Sequence, residues 1–239
     1  MLKIIACLFM LIDHLGAVLF PEVIILRMVG RLSFPIFAYL IAMGYSKTNS
    51  VFKYLNRLLM FGVISQMPFS LAFNKQASVH SLSDLINYFL GSPIPHLNIF
   101  FTLAIGLLSI RVWDKGDSKP YKTMVILALG IAAEAFYTDY GIYGVAMILA
   151  FYVFRDSKIK TILSQVIVYI LFNASQILLY LYESKGLSIN LVWFMQVLSL
   201  LALIFVFNYN GKKGRDLRYI FYVFYPLHLL IIGIIKILN

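Results

Sequence analysis

The sequence of 239 residues carries little charge and almost no cysteine: charged residues make up 13% of it, and Cys7 is its one cysteine. A lone cysteine excludes a disulfide scaffold within the chain. Soluble domains are about 45–50% apolar and about 25% charged, whereas 62% of this chain is hydrophobic. A soluble fold of this size has too little interior to hide so much apolar side chain. The composition therefore predicts an integral membrane protein.

Common sequence motifs of soluble enzymes are also absent. The chain has no Gly-x-x-x-x-Gly-Lys, Gly-x-Gly-x-x-Gly or Gly-x-Ser-x-Gly segment, so we expect neither a soluble-type nucleotide site nor a serine-hydrolase site. Its four histidines show no His-x-x-x-His spacing, and we expect no metal site. We attribute the net charge of +10 to membrane topology rather than to binding of nucleic acid.

The apolar segments predict an all-α, polytopic transmembrane helix bundle that forms a single domain over residues 1–239. A helix needs roughly 20 residues to cross the hydrocarbon of a bilayer. We predict nine spans, at about 2–20, 24–45, 54–73, 97–113, 121–137, 140–154, 159–182, 190–208 and 219–238. The fourth and sixth are short, so we expect them to pack inside the bundle, to cross a thinned bilayer or to span it incompletely.

The long linker 74–96 carries apolar residues at helical spacing between Leu82 and Leu90. Ser81 and Asp84 resemble a helix-capping box before this pattern, and Gly91 and Pro93 follow it. These features predict one short amphipathic helix on the outer interface. An ordinary linker that covers the top of the bundle is the alternative.

Basic residues occupy every second linker, which predicts the orientation of the chain. With Lys3, fifteen of the twenty Lys and Arg residues fall on one side. They lie in four linkers, 46–57, 111–122, 155–160 and 209–218. Short loops enriched in Lys and Arg stay in the cytoplasm. We therefore predict a multi-pass protein of the cell membrane with a cytoplasmic N-terminus and an extracytoplasmic C-terminus.

Several ionisable residues lie within the predicted spans, where charge is costly and usually functional, and we expect four of them to border one cavity. Asp13 and His14 are in the first span, Arg31 in the second and His228 in the ninth. Counting 1.5 Å per residue from the span ends places the first three at one level in the outer half, with His228 nearer the midplane. We expect Asp13 to pair with Arg31 and the His14 imidazole to point into a cavity. A purely structural polar plug is the alternative.

Lys53 and Arg57 lie at the cytoplasmic start of the third span. Basic side chains at such a mouth are suited to the phosphates of an anionic cofactor. The positive-inside bias alone also accounts for basic residues in this linker. Arg57 stands apart because it sits slightly inside the predicted span.

Several blocks of the sequence resemble the TraX family of membrane proteins over nearly the whole chain. They are 2–6 (LKIIA), 10–16 (MLIDHLG), 30–40 (GRLSFPIFAYL), 54–59 (YLNRLL), 65–69 (SQMPF), 98–106 (NIFFTLAIG), 139–144 (DYGIYG) and 224–228 (FYPLH). The founding TraX protein is associated with N-acetylation of pilin, and its fold is similar to membrane acyltransferases that act on surface glycans. The resemblance therefore implies an acetyl-CoA-dependent acyltransferase.

The resemblance also implies roles for individual residues. His14 would be the catalytic base for the acceptor, with Asp13 and Arg31 in support, and His228 is the rival candidate for the base. Arg57, with Lys53, would contact acetyl-CoA from the cytoplasmic side. A histidine suits this chemistry because its ordinary pKa is near neutral pH. Candidate donors to the developing oxyanion are Arg31, Asn98, Thr102 and Tyr225.

Three functions are compatible with the sequence. The first is an acyltransferase that moves an acetyl or other acyl group from acyl-CoA to an extracytoplasmic acceptor, a peptide amine or a glycan hydroxyl. The second is a small proton-coupled transporter with Asp13, Arg31 and His228 as its polar path. An inverted repeat would favour the transporter, and the sequence shows none. The third is a membrane chaperone for a peptide.

Overall fold

The computed structural model of the protein describes residues 1–73, 96–183, 197–209 and 218–238. The regular elements of these residues are helices, joined by one isolated bridge between Leu97 and Thr138. The all-α prediction is therefore confirmed for the part described. The predicted interfacial helix between 82 and 90 and the first residues of the predicted span 190–208 lie outside the described residues.

The helices agree with the predicted spans to within a few residues, with one exception described below. They are α1 (Leu2–Val18), α2 (Ile24–Gly30), α3 (Ser33–Lys47), α4 (Val51–Phe73), α5 (Ile99–Lys115), α6 (Lys119–Ala135), α7 (Gly141–Val153), α8 (Lys158–Glu183), a 3₁₀ turn (Ser199–Leu201), α9 (Ala202–Phe207) and α10 (Arg218–Leu238). Polar residues begin two of them: Asn98 caps α5 and Ser118 caps α6, each accepting a bond from a free N–H of the first turn.

The predicted second span, 24–45, is interrupted between α2 and α3. Arg31 and Leu32 form a turn there, in which the Leu32 N–H bonds to the Val29 carbonyl. Pro35 accounts for the interruption, because a proline ring clashes with the carbonyl four residues earlier, which here belongs to Arg31. The turn places Arg31 at a helix junction rather than inside a regular helix.

Two helical stretches of the described chain are both long enough and apolar enough to cross a membrane. They are Ile24–Lys47, counted across the turn, and Ile220–Leu238. Other helices expose apolar side chains at four-residue spacing, as α8 does with Ile159, Leu163, Ile167 and Leu171. Apolar stripes of this kind in water would be aggregation sites. Together these features indicate association with a membrane.

Helices α3, α5 and α7 pack together at the centre of the described bundle. Leu107, Ile148 and Phe151 are fully buried among them. Gly106 permits the close crossing of α5 and α7, because a Cβ there would lie only 2.5 Å from Cδ1 of Ile148. Helices α1, α4 and α10 pack on each other beside this core, and the polar residues of the predicted site lie on them and in the turn after α2.

Candidate active site around two contacting histidines

His14 of α1 and His228 of α10 are in direct contact. Nδ1 of His14 lies 2.7 Å from Nε2 of His228, and the two residues are only 8% and 5% exposed. Nδ1 of His228 lies 2.7 Å from the carbonyl oxygen of Phe224, one turn earlier in α10. The structure therefore joins the two histidines that the sequence offered as rival bases.

Aromatic rings surround the histidine pair. Phe73 packs edge-on against His14 at 5.2 Å between ring centroids, and Tyr225 does so at 6.1 Å. Phe224 stacks on His228 at 4.8 Å. These rings shield the imidazoles from water and hold their planes, which strengthens any hydrogen bond between them.

This contact changes the expectation for His14. Its imidazole is not free on both sides, because its Nδ1 faces His228. The ring centroids are 5.0 Å apart, so any difference in depth between the two rings is no larger than that.

Asp13 forms ion pairs with two arginines across the hairpin of α1 and α2. Its Oδ2 lies 2.6 Å from Nη1 of Arg27, and its Oδ1 lies 3.7 Å from Nε of Arg31. The predicted approach of Asp13 to Arg31 is confirmed, but Arg27 is the nearer partner. Its Nη1 also donates to the Asp13 carbonyl oxygen at 3.0 Å. The four-residue spacing of Arg27 and Arg31, which places both on one helix face, was the sequence signal for this second partner.

Arg31 also connects to the loop between α6 and α7. Its Nη1 donates to the Tyr140 hydroxyl at 3.5 Å, and the Tyr140 ring stacks on Phe34 at 3.8 Å between centroids. Tyr137 and Tyr140 adopt left-handed backbone conformations, with φ of 48° and 66°. Such conformations cost of order 1–3 kcal/mol each and concentrate at functional sites.

Hydrogen bonds fix this strained loop. Leu97 donates its N–H to the Tyr137 carbonyl at 3.0 Å and accepts from the Asp139 N–H at 2.8 Å. The Thr102 hydroxyl donates to the Asp139 carbonyl. Burial raises the pKa of the Asp139 carboxyl above its ordinary value, against the opposing effect of His96 and Arg31. The loop is therefore tied to the start of α5 on one side and to Arg31 on the other.

The contacts separate the four candidate oxyanion donors into two groups. The Asn98 side-chain amide donates to the Gly62 carbonyl and to Gln66, at 2.7 and 2.8 Å, and Thr102 is held by the Asp139 carbonyl. The Asn98 amide and the Thr102 hydroxyl therefore already have hydrogen-bond acceptors. The buried Tyr225 hydroxyl faces the Ile99 backbone N–H and donates to no acceptor among the described residues. Tyr225 therefore remains as a donor. Arg31 also remains, because its guanidinium has five N–H groups and its polar contacts in the described part of the chain are with Tyr140 and Asp13, at 3.5 and 3.7 Å.

A cavity of about 560 Å³ opens beside Tyr140. It is lined by His96, Glu134, Tyr137, Thr138, Tyr140, Gly141, Ile142, Tyr143 and Phe172. Tyr140 forms part of its wall and also contacts Arg31. Tyr140 thus connects the polar cluster of Asp13 and Arg31 to the open cavity.

Arg57 and Lys53 lie far from the histidine pair, on the first two turns of α4. Arg57 is sixteen residues from Phe73 on the same helix, roughly 24 Å at 1.5 Å per residue. The Arg57 guanidinium lies over the Tyr54 ring at 5.5 Å, and its Nε is buried without a hydrogen-bond partner among the described residues. Lys53, one turn earlier, is exposed. The two predicted sites therefore occupy opposite ends of the bundle.

Two comparisons with known proteins cover nearly the whole chain. The family model described as TraX protein matches residues 1–236. The probable fimbrial assembly protein FimC, serogroup H1, of Dichelobacter nodosus is 34% identical over 243 aligned residues, which cover 97% of this chain and 92% of that protein. An uncharacterized protein of Rickettsia prowazekii is 34% identical over 91 residues, which cover 38% of this chain and 34% of that protein. No solved structure matches the chain.

Proposed function

This chain belongs to the TraX protein family, and on that premise we propose that it is a membrane-embedded acyltransferase. It would move an acetyl group from cytosolic acetyl-CoA to an amine or hydroxyl of an extracytoplasmic acceptor. The similarity to a probable fimbrial assembly protein favours a peptide amine on a surface structure over a glycan hydroxyl. The buried His14–His228 contact beside an ion-paired carboxylate is the observation that carries the proposal.

The proposed topology has nine spans, with the N-terminus in the cytoplasm and the C-terminus outside. The two long apolar stretches and the exposed apolar stripes of the shorter helices support it. The short helices α5, α6 and α7 pack against one another, which is how short spans are accommodated. In this orientation the histidine pair lies in the outer half of the membrane and Arg57 in the inner half.

The chemistry is direct transfer between two bound substrates. His14 takes the proton of the acceptor amine or hydroxyl as its nitrogen or oxygen attacks the thioester carbonyl carbon. The carbon–sulfur bond then breaks, and the CoA thiolate receives the proton. A positioned base contributes roughly 10²–10⁴-fold to such a step. The Tyr225 hydroxyl and Arg31 would stabilise the negative oxygen that forms in between.

Asp13 has a supporting role in this proposal. Its carboxylate neutralises Arg27 and holds Arg31 at 3.7 Å. Arg31 in turn reaches the Tyr140 hydroxyl, so the ion pairs position one side chain of the cavity wall. The acceptor would enter through this cavity, which opens on the same side of the membrane as the α1–α2 hairpin.

Arg57 is the proposed contact for the phosphates of CoA. A buried guanidinium nitrogen without a partner is costly, and a phosphate oxygen would satisfy it. Lys53 lies one turn away on the same helix face and would add a second, exposed charge. The distance of roughly 24 Å between Arg57 and the outer end of α4 requires an elongated substrate that threads into the bundle, as a thioester on a long pantetheine arm would.

The second candidate function is a proton-coupled carrier, favoured by the same buried contact. Two adjoining imidazoles next to Asp13 would pass a proton as readily for transport as for catalysis. Binding of acetyl-CoA separates the two functions, because a carrier has no need of that ligand.

The test is isothermal titration of the purified protein in detergent with acetyl-CoA, followed by competition with CoA. We expect saturable binding, weakened about tenfold or more by Arg57→Gln, because a hydrogen bond to a charged group contributes about 1.5–3 kcal/mol. Lys122→Gln, on another basic linker, is the matched control and should bind as the native protein does. Absence of binding at millimolar acetyl-CoA would overturn the proposal and favour the carrier.

A further inference from the structure

We infer that His228 sets the tautomer of His14, so that Nε2 of His14 is the basic nitrogen, and that His228 accepts the proton which His14 then gives up from Nδ1. This inference rests on the proposed function for its catalytic meaning. The assignment of the tautomers rests on geometry alone. His228 is therefore a positioning residue that accepts a proton from His14. It is not the base that takes the proton of the acceptor group.

The two imidazoles lie edge to edge. Their planes are parallel to within 5°, with centroids 5.0 Å apart. Stacked rings cannot approach closer than van der Waals contact, about 3.5 Å, yet the two nitrogens are 2.7 Å apart. The rings must therefore share nearly one plane. In that arrangement the N–H of one ring points at the in-plane lone pair of the other, as a strong hydrogen bond requires.

The Phe224 carbonyl decides which nitrogen carries each hydrogen. A carbonyl oxygen can only accept, so Nδ1 of His228 must be the donor in the 2.7 Å contact. A neutral imidazole has one N–H and one lone pair, so Nε2 of His228 is an acceptor. Nδ1 of His14 must then be the donor across the pair, and the lone pair of His14 is left on Nε2.

The position of that lone pair fits the task of a base. Among the described residues, no hydrogen-bond partner contacts Nε2 of His14. Free histidine in water prefers to carry its hydrogen on Nε2, so the pair holds His14 in the less common tautomer. The second ring nitrogen of a functional histidine is commonly fixed in this way by a neighbouring acceptor.

The proton movements balance. The acceptor group loses one proton to Nε2 of His14 as it attacks the thioester. The Nδ1 proton of His14 moves to Nε2 of His228, which becomes the imidazolium and keeps its bond to Phe224. When the carbon–sulfur bond breaks, the Nε2 proton of His14 passes to the CoA sulfur, and the proton on His228 returns to Nδ1 of His14. The pair ends as it began, and no oxidant or further reactant is needed.

The test is nitrogen NMR of the protein labelled with ¹⁵N-histidine, in detergent at about pH 8, above the ordinary imidazole pKa of about 6.5. The chain has four histidines, so His80→Gln and His96→Gln spectra leave only the pair to assign. We expect Nδ1 protonated and Nε2 bare in both His14 and His228. A hydrogen on Nε2 of His14 would overturn the inference.

Two variants isolate the role of His228. His228→Gln retains an oxygen that accepts from Nδ1 of His14, whereas His228→Phe keeps the ring volume and removes the acceptor. We expect His14 to keep its Nδ1 hydrogen in the first variant and to shift it to Nε2 in the second. An unchanged His14 spectrum in a folded His228→Phe protein would contradict the inference. The measurement needs neither acetyl-CoA nor turnover, so its failure is distinguishable from failure of the proposed function.

Discussion

Nη1 of Arg27 contacts Asp13 twice, at 2.6 Å to the carboxylate and at 3.0 Å to the backbone carbonyl. One guanidinium nitrogen thus closes the hairpin of α1 and α2, and it does so beside the histidine that α1 carries. Arg31 shares the same carboxylate at a longer distance, 3.7 Å. The three charges form one unit with a net charge of +1.

Removal of Asp13 should destabilise the protein more than removal of the whole Asp13–Arg27 pair. A partly buried charge without its partner costs about 3–5 kcal/mol, whereas loss of both members costs much less. We expect Asp13→Ala to lower the thermal midpoint in detergent well below that of the Asp13→Ala/Arg27→Leu double variant. Equal midpoints for the two proteins would show that the pair is not coupled.

Gly30 should be intolerant of a side chain because it faces Asp13. A Cβ at Gly30 would overlap the Asp13 side chain, and overpacking of this kind costs about 1–3 kcal/mol. We expect Gly30→Ala to lower the thermal midpoint and to weaken the Asp13–Arg27 contact. Gly62→Ala is the control, because the nearest atoms to a Cβ there are those of Phe100 and Phe101, at 3.2–3.4 Å. A midpoint for Gly30→Ala equal to that of Gly62→Ala would contradict the packing described for the hairpin.

Tyr225→Phe should slow acyl transfer with little effect on stability. The ring remains in place among its aromatic neighbours, while the buried hydroxyl, which donates to no described acceptor, is lost. Removal of one oxyanion donor typically costs about 10²–10³-fold in kcat. Steady-state release of CoA is the measurement. Tyr45→Phe removes a hydroxyl bonded to Asp114 at the other end of the bundle and should retain turnover, so equal losses in both variants would exclude the proposed role.

The orientation can be tested with single cysteines. Native Cys7 is buried and should not react with a membrane-impermeant maleimide. Glu22→Cys, in the exposed turn before α2, should be labelled in intact cells. Lys115→Cys, at the exposed end of α5, should be labelled only after the membrane is opened. The reverse pattern would invert the proposed topology.

Most of the helices could be predicted from the sequence because length, hydropathy and the alternation of basic linkers constrain them strongly. The prediction missed the interruption of the second span at Arg31 and Leu32. Pro35 indicates such an interruption, but the apolar residues around it favoured one continuous helix. The predicted spans 2–20 and 24–45 leave only residues 21–23 between them, which requires a tight turn and brings Asp13 towards Arg31.

The candidate site was predictable only in part. Asp13, His14 and Arg31 lie close together in the sequence hairpin, so counting residues along two helices was enough to bring them together. His228 is 214 positions from His14, and no local rule sets which faces of α1 and α10 meet. The contact between the two histidines therefore required the three-dimensional packing, as did the link from Arg31 to the left-handed Tyr140.

The central claim is that His14 is the base of an acyl-transfer reaction, and turnover of acetyl-CoA in proteoliposomes tests it most directly. The reaction should be supplied with membrane extract of the source cells as acceptor, and each histidine replaced singly. We expect His14→Ala to lower turnover by roughly 10²–10⁴-fold while acetyl-CoA binding persists, and His228→Gln to cost less. Native turnover in His14→Ala would contradict the account, and loss of turnover in His228→Gln alone would assign the base to α10.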